Sequence, residues 1–96
     1  MRLDLFLKAS RLVLRRTIAQ EICDAGALRV NGAIAKSSKE IKLGDEITLR
    51  FRGRIIAAKV LTVPTNKQVS KALASTLIEI TSNEPDPAAN LFANSN

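Results

Sequence analysis

A change of hydrophobic period near residue 26 constrains the fold of this chain more than any other feature. Leu3, Phe6 and Leu7 are spaced i, i+3 and i+4, which places them on one face of a helix that should end between residues 10 and 14. A second helix is predicted from about residue 16 to 25. Gly26 then ends it, since glycine readily takes the left-handed conformation that follows a helix.

Turn signals divide the following segment into short strands. Asn31-Gly32 and Gly44-Asp45 favour chain reversal, because Asn and Gly tolerate positive φ at low cost. Strands are predicted at residues 27–31, 46–51 and 55–63, with a hairpin tip at residues 52–54. The sequence leaves two further elements undecided, a helical turn at residues 69–74 and a last strand at residues 77–81. The sequence therefore predicts an α+β fold, with two N-terminal helices packed on a small antiparallel sheet.

The length of 96 residues predicts one compact domain followed by a tail. We expect a single domain at residues 1–81, with its core motif at residues 1–63. Residues 82–96 contain two prolines and several Asn and Ala, and only Leu91 and Phe92 are large enough to bury. We therefore predict a flexible, disordered C-terminal tail there.

The positive charge is concentrated in the first two-thirds of the chain. Residues 1–63 carry 13 basic and 6 acidic side chains, whereas the remainder carries 2 basic and 3 acidic ones, and the net charge is +6. A small domain of this kind suits a polyphosphate partner, because each phosphate contact releases condensed counterions. An acidic membrane surface would also attract it, and a solvated basic face without any partner is the remaining alternative.

The residue inventory argues against catalysis. The chain has no His, and no Ser, Cys or carboxylate is spaced as a nucleophile with its base. One cysteine without histidine cannot complete a zinc site, and the dispersed glycines form no phosphate-binding loop. Cys23, on the predicted second helix, is expected to pack in the core. We predict neither enzymatic activity nor a metal or cofactor.

The same inventory indicates a cytoplasmic protein. Charges at Arg2, Asp4 and Lys8 interrupt any apolar signal-peptide region, and no stretch approaches the length of a transmembrane helix. A single cysteine allows no intramolecular disulfide. We therefore expect a reduced, cytoplasmic setting.

Structured RNA is the polyphosphate that fits best. Three Phe without Trp or Tyr cannot provide the paired stacking platform of a single-strand binder. Arg11 and Arg15 are four residues apart, and Arg15 and Arg16 stand where the second helix begins. Each of these two adjacent arginines costs the isolated helix about 0.3–1 kcal/mol through the helix dipole. Binding of an anion would explain that cost, and simple solvation is the alternative.

Several short motifs together resemble a known RNA-binding family. Arg2-Leu3-Asp4 with Phe6-Leu7, Arg15-Arg16-Thr17 with Ala19, Gly26, Val30-Asn31-Gly32 and Gly44-Asp45-Glu46-Ile47 resemble the S-four RNA-binding domain, named after ribosomal protein S-four. The resemblance covers roughly residues 1–51. It implies a helix pair packed on a small antiparallel sheet, in agreement with the prediction above.

Within that family, the short chain opening on Met-Arg-Leu-Asp resembles the small members of ribosome quality control and ribosome recycling. This implies binding to stalled large ribosomal subunits carrying peptidyl-tRNA, with contacts to large-subunit ribosomal RNA and to tRNA that stabilise the P-site tRNA. A quality-control tailing factor is an implied partner, and we expect a monomer without membrane contact. The implied RNA-binding residues are Arg2, Lys8, Arg11, Arg15, Arg16 and Lys36. The implied structural or orienting residues are Asp4, Gly26, Asn31, Gly32, Gly44 and Asp45, of which Asp4 would orient an Arg.

The chain departs from the family pattern at two positions. The family often has Ser or Thr before the second-helix Arg, whereas Leu14-Arg15 stands here, so either Thr17 caps the helix or no cap exists. Leu5 replaces a frequent Lys. Two other functions remain open: the RNA-guiding domain of an RNA-modifying enzyme, such as a pseudouridine synthase or a methyltransferase, and a ribosome assembly protein. The absence of a further domain in these residues argues against the enzyme.

Overall fold

The computed structural model describes residues 1–65 and 69–87 and shows an α+β fold. None of the helices in this part of the chain is long and apolar enough to cross a membrane. The elements are, in chain order, α1 (Leu3–Ala9), α2 (Arg16–Asp24), β1 (Leu28–Val30), β2 (Ala33–Ile34), β3 (Glu46–Phe51), β4 (Arg54–Val60), α3 (Lys71–Ala74) and β5 (Ile78–Pro85).

The strands form one antiparallel five-stranded sheet in the order β2-β1-β3-β4-β5. Val30 of β1 lies opposite Ile47 of β3, and Leu49 of β3 lies opposite Ile56 of β4. Side chains alternate between the two faces of a strand, so the apolar positions fall on one face. The fold class predicted from the sequence is therefore confirmed, with helices at the N-terminus and an antiparallel sheet behind them.

Both N-terminal helices and the sheet contribute to one hydrophobic core. Its members from α1 are Leu3, Phe6, Leu7 and Ala9, those from α2 are Ala19, Ile22 and Cys23, and those from the sheet include Leu28, Val30, Ile47, Leu49 and Val60. Burial and the nearby carboxylates of Asp4 and Asp24 raise the pKa of the Cys23 thiol. The thiol therefore stays protonated near neutral pH, as expected for a cysteine that packs in a core.

The two ends of α2 differ in how their backbone groups are satisfied. At the amino end Arg15 is the N-cap residue and no side chain caps the helix, so the Thr17 cap is wrong and the uncapped alternative holds. At the carboxyl end Gly26 has a φ of +72°. The Gly26 amide donates to the Cys23 carbonyl at 3.0 Å, and the Ala27 amide donates to the Ile22 carbonyl at 3.1 Å. This is the Schellman pattern.

Side chains join the turn that follows β1 to the turn that precedes β3. Asn31 and Gly32 both have positive φ, at 53° and 85°, as their turn requires. The Asn31 carboxamide accepts from the Glu46 amide at 2.9 Å and donates to Asp45 at 3.1 Å. The other carboxylate oxygen of Asp45 accepts from the Lys42 amide at 2.9 Å. The contacts fix the turn at Gly44 relative to the turn at Gly32.

The structure differs from the sequence prediction at several element ends. Helix α1 ends at Ala9, before the predicted limit, and Arg11 follows it with a φ of 62°. Strand β2 was not predicted, because two residues carry no periodicity and this strand exists only by pairing across the Asn31-Gly32 turn.

The ordered chain also continues past the predicted end of the domain. Strand β5 runs to Pro85, where Pro85 lies opposite Arg54. The prediction that the tail begins at residue 82 is therefore wrong for residues 82–85. Proline is tolerated there because β5 is an edge strand, on which a residue without an N–H need not break the ladder. The rest of the predicted tail, from residue 88 onward, lies outside the described residues.

Candidate RNA-binding site

Asp4 is a fully buried carboxylate that joins two arginines distant in sequence. Its Oδ2 accepts from Arg16 Nε at 3.2 Å and from Gln20 Nε2 at 3.2 Å, and its Oδ1 lies 3.3 Å from Arg2 Nε. The Leu5 amide also donates to Oδ1 at 2.8 Å. The side chains of Arg2 and Arg16 remain 44% and 45% exposed, so each arginine is paired with Asp4 and still accessible to solvent.

The ionised form of Asp4 is favoured in spite of its burial. Burial alone would raise the pKa of the carboxyl, since it removes water from the charged form. Hydrogen bonds from Gln20, Arg16 and the Leu5 amide, together with the charge of Arg2, outweigh burial and lower the pKa below its ordinary value of 3.8. Asp4 is therefore a fixed negative charge at neutral pH and can orient both arginines.

The amino end of α1 is held by a distant loop. The N-cap residue is Arg2, whose side chain caps nothing. Instead, the Leu3 amide donates to the Lys39 carbonyl at 2.7 Å, and the Asp4 amide donates to the Ser37 carbonyl at 3.1 Å. These bonds satisfy amides that a helix start leaves free. They also place the exposed loop that carries Lys36 beside the start of α1.

Arg11 and Arg15 belong to a second group, in the segment that joins α1 to α2. Both line a cleft of about 690 Å³, to which the β3–β4 turn contributes Arg52. The Arg52 guanidinium lies 4.9 Å from the centroid of the Phe51 ring, a cation–π distance. The apolar lining of the cleft consists of Leu12, Val13, Leu14, Ile18 and Phe51.

The two predicted lysines lie outside both groups. Lys8 is exposed in the last turn of α1. Lys36 is exposed and lines a separate hollow of about 280 Å³ together with Ile34 and Lys39. The structure thus brings Arg2 and Arg16 together through Asp4, brings Arg11 and Arg15 together in a cleft, and leaves both lysines at separate places on the surface.

Three residues of these groups were missed by the sequence prediction. Gln20 stands four residues after Arg16, on the same side of α2, and that spacing could have indicated a shared partner. Arg52 stands in a two-residue turn where Asn or Gly is usual, which is a weak signal of a special role. No local pattern marked Phe51, because only the fold brings it to Arg11 and Arg15. Within residues 1–65 and 69–87, no cluster of His, Cys, Asp and Glu could hold a metal ion.

Comparison with known proteins assigns the family. The S4 domain matches residues 1–47. This range includes Asp4 with its partners Arg2, Arg16 and Gln20, here called the Asp4 group, together with Arg11 and Arg15. The RQC P-site tRNA stabilizing factor of Halalkalibacterium halodurans is 45% identical over 85 residues, covering 88% of this chain and 94% of that protein. The chain belongs to the RQC P-site tRNA stabilizing factor family. Another member of this family, from Bacillus subtilis, is 50% identical over 60 residues, covering 62% of this chain and 70% of its own.

Two solved structures share the fold of this RQC P-site tRNA stabilizing factor family member. The trimeric structure of Vibrio cholerae Heat Shock Protein 15 superposes with a TM-score of 0.76 at 25% identity, covering 99% of this chain and 92% of that one. The solution structure of the hypothetical protein HP1423 gives a TM-score of 0.74 at 38% identity, covering 88% and 100%. Both likenesses extend beyond the S4 match into the second half of the sheet.

Proposed function

We propose that this protein is a non-catalytic RNA-binding factor of ribosome-associated quality control. It binds stalled large ribosomal subunits that carry peptidyl-tRNA, contacts ribosomal RNA and tRNA, and stabilises the tRNA in the P site. Its similarity to RQC P-site tRNA stabilizing factors supports this role, and the S4 domain supports RNA as the ligand. A cytoplasmic location follows from a ribosomal partner.

The Asp4 group is the observation that carries the proposal. A guanidinium that is fixed on one edge by a buried carboxylate keeps its other N–H groups for a phosphate, and loses little conformational freedom when it binds. Arg2 and Arg16 both have this arrangement, and both are nearly half exposed. Because a phosphate backbone offers anions at regular intervals, two pre-oriented arginines suit it better than two freely rotating ones.

The other basic residues are assigned supporting roles. Arg11 and Arg15 would contact the same RNA from the cleft, where their charges are added to that of Arg52. Lys8 and Lys36 are exposed and would contribute long-range attraction. The turn residues Gly26, Asn31, Gly32, Gly44 and Asp45 would hold the sheet under these helices.

Sedimentation tests the ribosomal role directly. We expect the protein to migrate with free large subunits that carry tRNA, more weakly with large subunits stripped of tRNA, and not with empty small subunits. Equal association with empty small subunits would contradict the proposal.

We further propose that the protein acts as a monomer and that a tailing factor joins it on the subunit. Sedimentation of the isolated protein distinguishes a monomer from a trimer.

The contribution of Arg16 is tested by the salt dependence of binding. Arg16→Ala should weaken binding to tRNA-carrying large subunits, and should reduce the slope of log affinity against log salt by about 1, because one phosphate contact is lost. Arg16→Lys keeps the charge but lacks the planar fork, so it should retain the slope and lose affinity.

Lys59→Ala is the matched control for this charge removal. Lys59 is an exposed residue of β4, at the end of the strand remote from the β3–β4 turn, so its replacement should leave affinity nearly unchanged. A normal slope in Arg16→Ala would show that Arg16 is merely solvated. Thermal unfolding of each variant gives the temperature below which all of them are folded, and binding is compared there.

A further inference from the structure

The cleft between the α1–α2 turn and the β3–β4 turn has the size of a ligand site. Its volume is about 690 Å³, within the roughly 300–1,000 Å³ of small-molecule sites. Its walls come from segments about 40 residues apart in the sequence, so the folded domain is required to form it. Phe51 and Arg52 also lie beyond the part of the chain that the S4 domain matches.

The lining of the cleft combines positive charge with apolar surface. Arg11, Arg15 and Arg52 contribute guanidiniums, and none of the lining residues in the described part of the chain is acidic. The remaining surface is apolar and includes the Phe51 ring and the side chain of Ile18. A ligand complementary to both parts needs an anionic group joined to a flat apolar one. A nucleotide has this composition, with a phosphate at one end and a base at the other.

The backbone of two lining arginines is held in an unusual conformation. In the described part of the chain, the non-glycine residues with positive φ are Arg11, Asn31 and Arg52, at 62°, 53° and 53°. Two of these three are therefore arginines of the cleft. Positive φ is unfavourable for a side chain as large as Arg, and the first position of a two-residue hairpin turn normally holds Asn, Asp or Gly. Such outliers concentrate at ligand sites.

We propose that this cleft receives one unpaired nucleotide of the bound RNA. Its base lies against Phe51 or on the plane of the Arg52 guanidinium, and its phosphates lie on Arg11 and Arg15. A single Phe ring suffices for one base, although the chain lacks the aromatics for a longer stacking platform. The inference rests on the proposed function, and it adds a nucleotide pocket to the phosphate contacts of Arg2 and Arg16.

Two substitutions separate the base contact from the charge. Phe51→Leu keeps an apolar side chain against the core but removes the ring, and should weaken binding to tRNA-carrying large subunits at least about fivefold, the lower end of base–aromatic stacking. The salt slope should not change. Arg52→Asn gives the turn its preferred Asn-Gly sequence while removing the charge, and should weaken binding and reduce the salt slope by about 1.

Lys59→Ala serves again as the charge control, and Ile80→Ala, on a side chain 47% exposed in β5, serves as the apolar control. Both should bind as the wild type does. Wild-type affinity in Phe51→Leu and Arg52→Asn would overturn the nucleotide pocket while leaving the proposed function intact. Failure of the wild-type protein itself to bind tRNA-carrying subunits would instead contradict the proposed function.

Cross-linking identifies what occupies the cleft. Full-length protein with p-benzoylphenylalanine in place of Phe51 is bound to tRNA-carrying large subunits and irradiated, and the adduct is identified by mass spectrometry. An adduct on a nucleotide of ribosomal RNA or tRNA supports the proposal, and it shows which of the two RNAs enters the cleft. An adduct on a ribosomal protein, or none in a bound complex, overturns it. Placing the same group at Lys59 provides the background.

Discussion

A single buried carboxylate organises the candidate site at the scale of residues. Burying an ionised group is costly unless it is paired and hydrogen-bonded, and Asp4 receives donors from the chain at Arg2, Leu5, Arg16 and Gln20. The sequence suggested that Arg16 lowers the stability of α2 through the helix dipole. In the folded domain its charge also faces Asp4, which offsets part of that cost.

Replacing Asp4 by Asn should change the pH dependence of stability. The folded-state pKa of Asp4 lies below the ordinary value of 3.8, so its contribution is present above that value and is lost as the pH falls through the folded pKa. At pH 7 we expect Asp4→Asn to lower the free energy of unfolding by about 1–3 kcal/mol. The difference from the wild type should shrink below about pH 4, as measured by urea unfolding.

Glu21→Gln provides the control for this experiment. It makes the same change from carboxylate to amide at an exposed position of α2. The decrease of its free energy of unfolding at low pH should therefore follow that of the wild type. A difference between Asp4→Asn and wild type that stays constant from pH 7 to pH 3 would show that Asp4 contributes through packing and not through its charge.

At the scale of elements, local patterns predicted what local forces determine. The limits of β3 were predicted correctly, because an alternating run stands between a Gly-Asp turn and an Arg-Gly turn. The predicted α2 differs from the observed one by one residue at its carboxyl end, where Gly26 forms the Schellman pattern. Both signals lie within a few residues of the element that they define.

Features that depend on tertiary contacts could not be predicted in this way. Strand β2 exists because Ala33 and Ile34 pair with β1, and the continuation of β5 to Pro85 depends on β4. At the candidate site, the sequence grouped the arginines of the two helices as one basic face. It could not show that Arg16 pairs with Asp4 while Arg15 lines a cleft with Phe51, because the fold alone determines these contacts.

Gly26 offers a test of the helix end itself. Its φ of +72° strains any other residue, whereas a Cβ added at this position would meet nothing within 4 Å. Gly26→Ala should therefore lower the free energy of unfolding by about 1–2 kcal/mol through backbone strain alone. Gly26→Asn should cost less, because Asn tolerates this conformation. Chemical denaturation measures both, and equal stability of all three proteins would contradict the strain argument.

At the scale of the whole molecule, one core supports both groups of arginines. Leu3, Phe6 and Leu7 from α1 pack with residues of α2 and of the sheet, so loosening any layer affects the others. A domain of this size has only about 5–15 kcal/mol of net stability. The proposed RNA-binding surface therefore depends on core residues that are buried away from solvent.

Leu7→Ala should separate stability from recognition. Leu7 is fully buried, and its truncation should lower the free energy of unfolding by about 2–5 kcal/mol. Binding to large subunits should then fall as the temperature approaches the lowered midpoint, and recover on cooling. Arg16→Ala should bind large subunits weakly at every temperature. Leu43→Ala, at a position 74% exposed, should change stability by within about 0.5 kcal/mol. A temperature-independent loss in Leu7→Ala would contradict this account.

The backbone bonds from Leu3 and Asp4 to the loop at residues 37–39 affect when the start of α1 can fold during synthesis. The amide of Leu3 finds its acceptor 36 residues later in the chain, and the Ile41 amide returns to the Met1 carbonyl. A contact of this separation must wait for loop closure. The amides of Leu3 and Asp4 therefore lack these acceptors until residue 39 has left the ribosome.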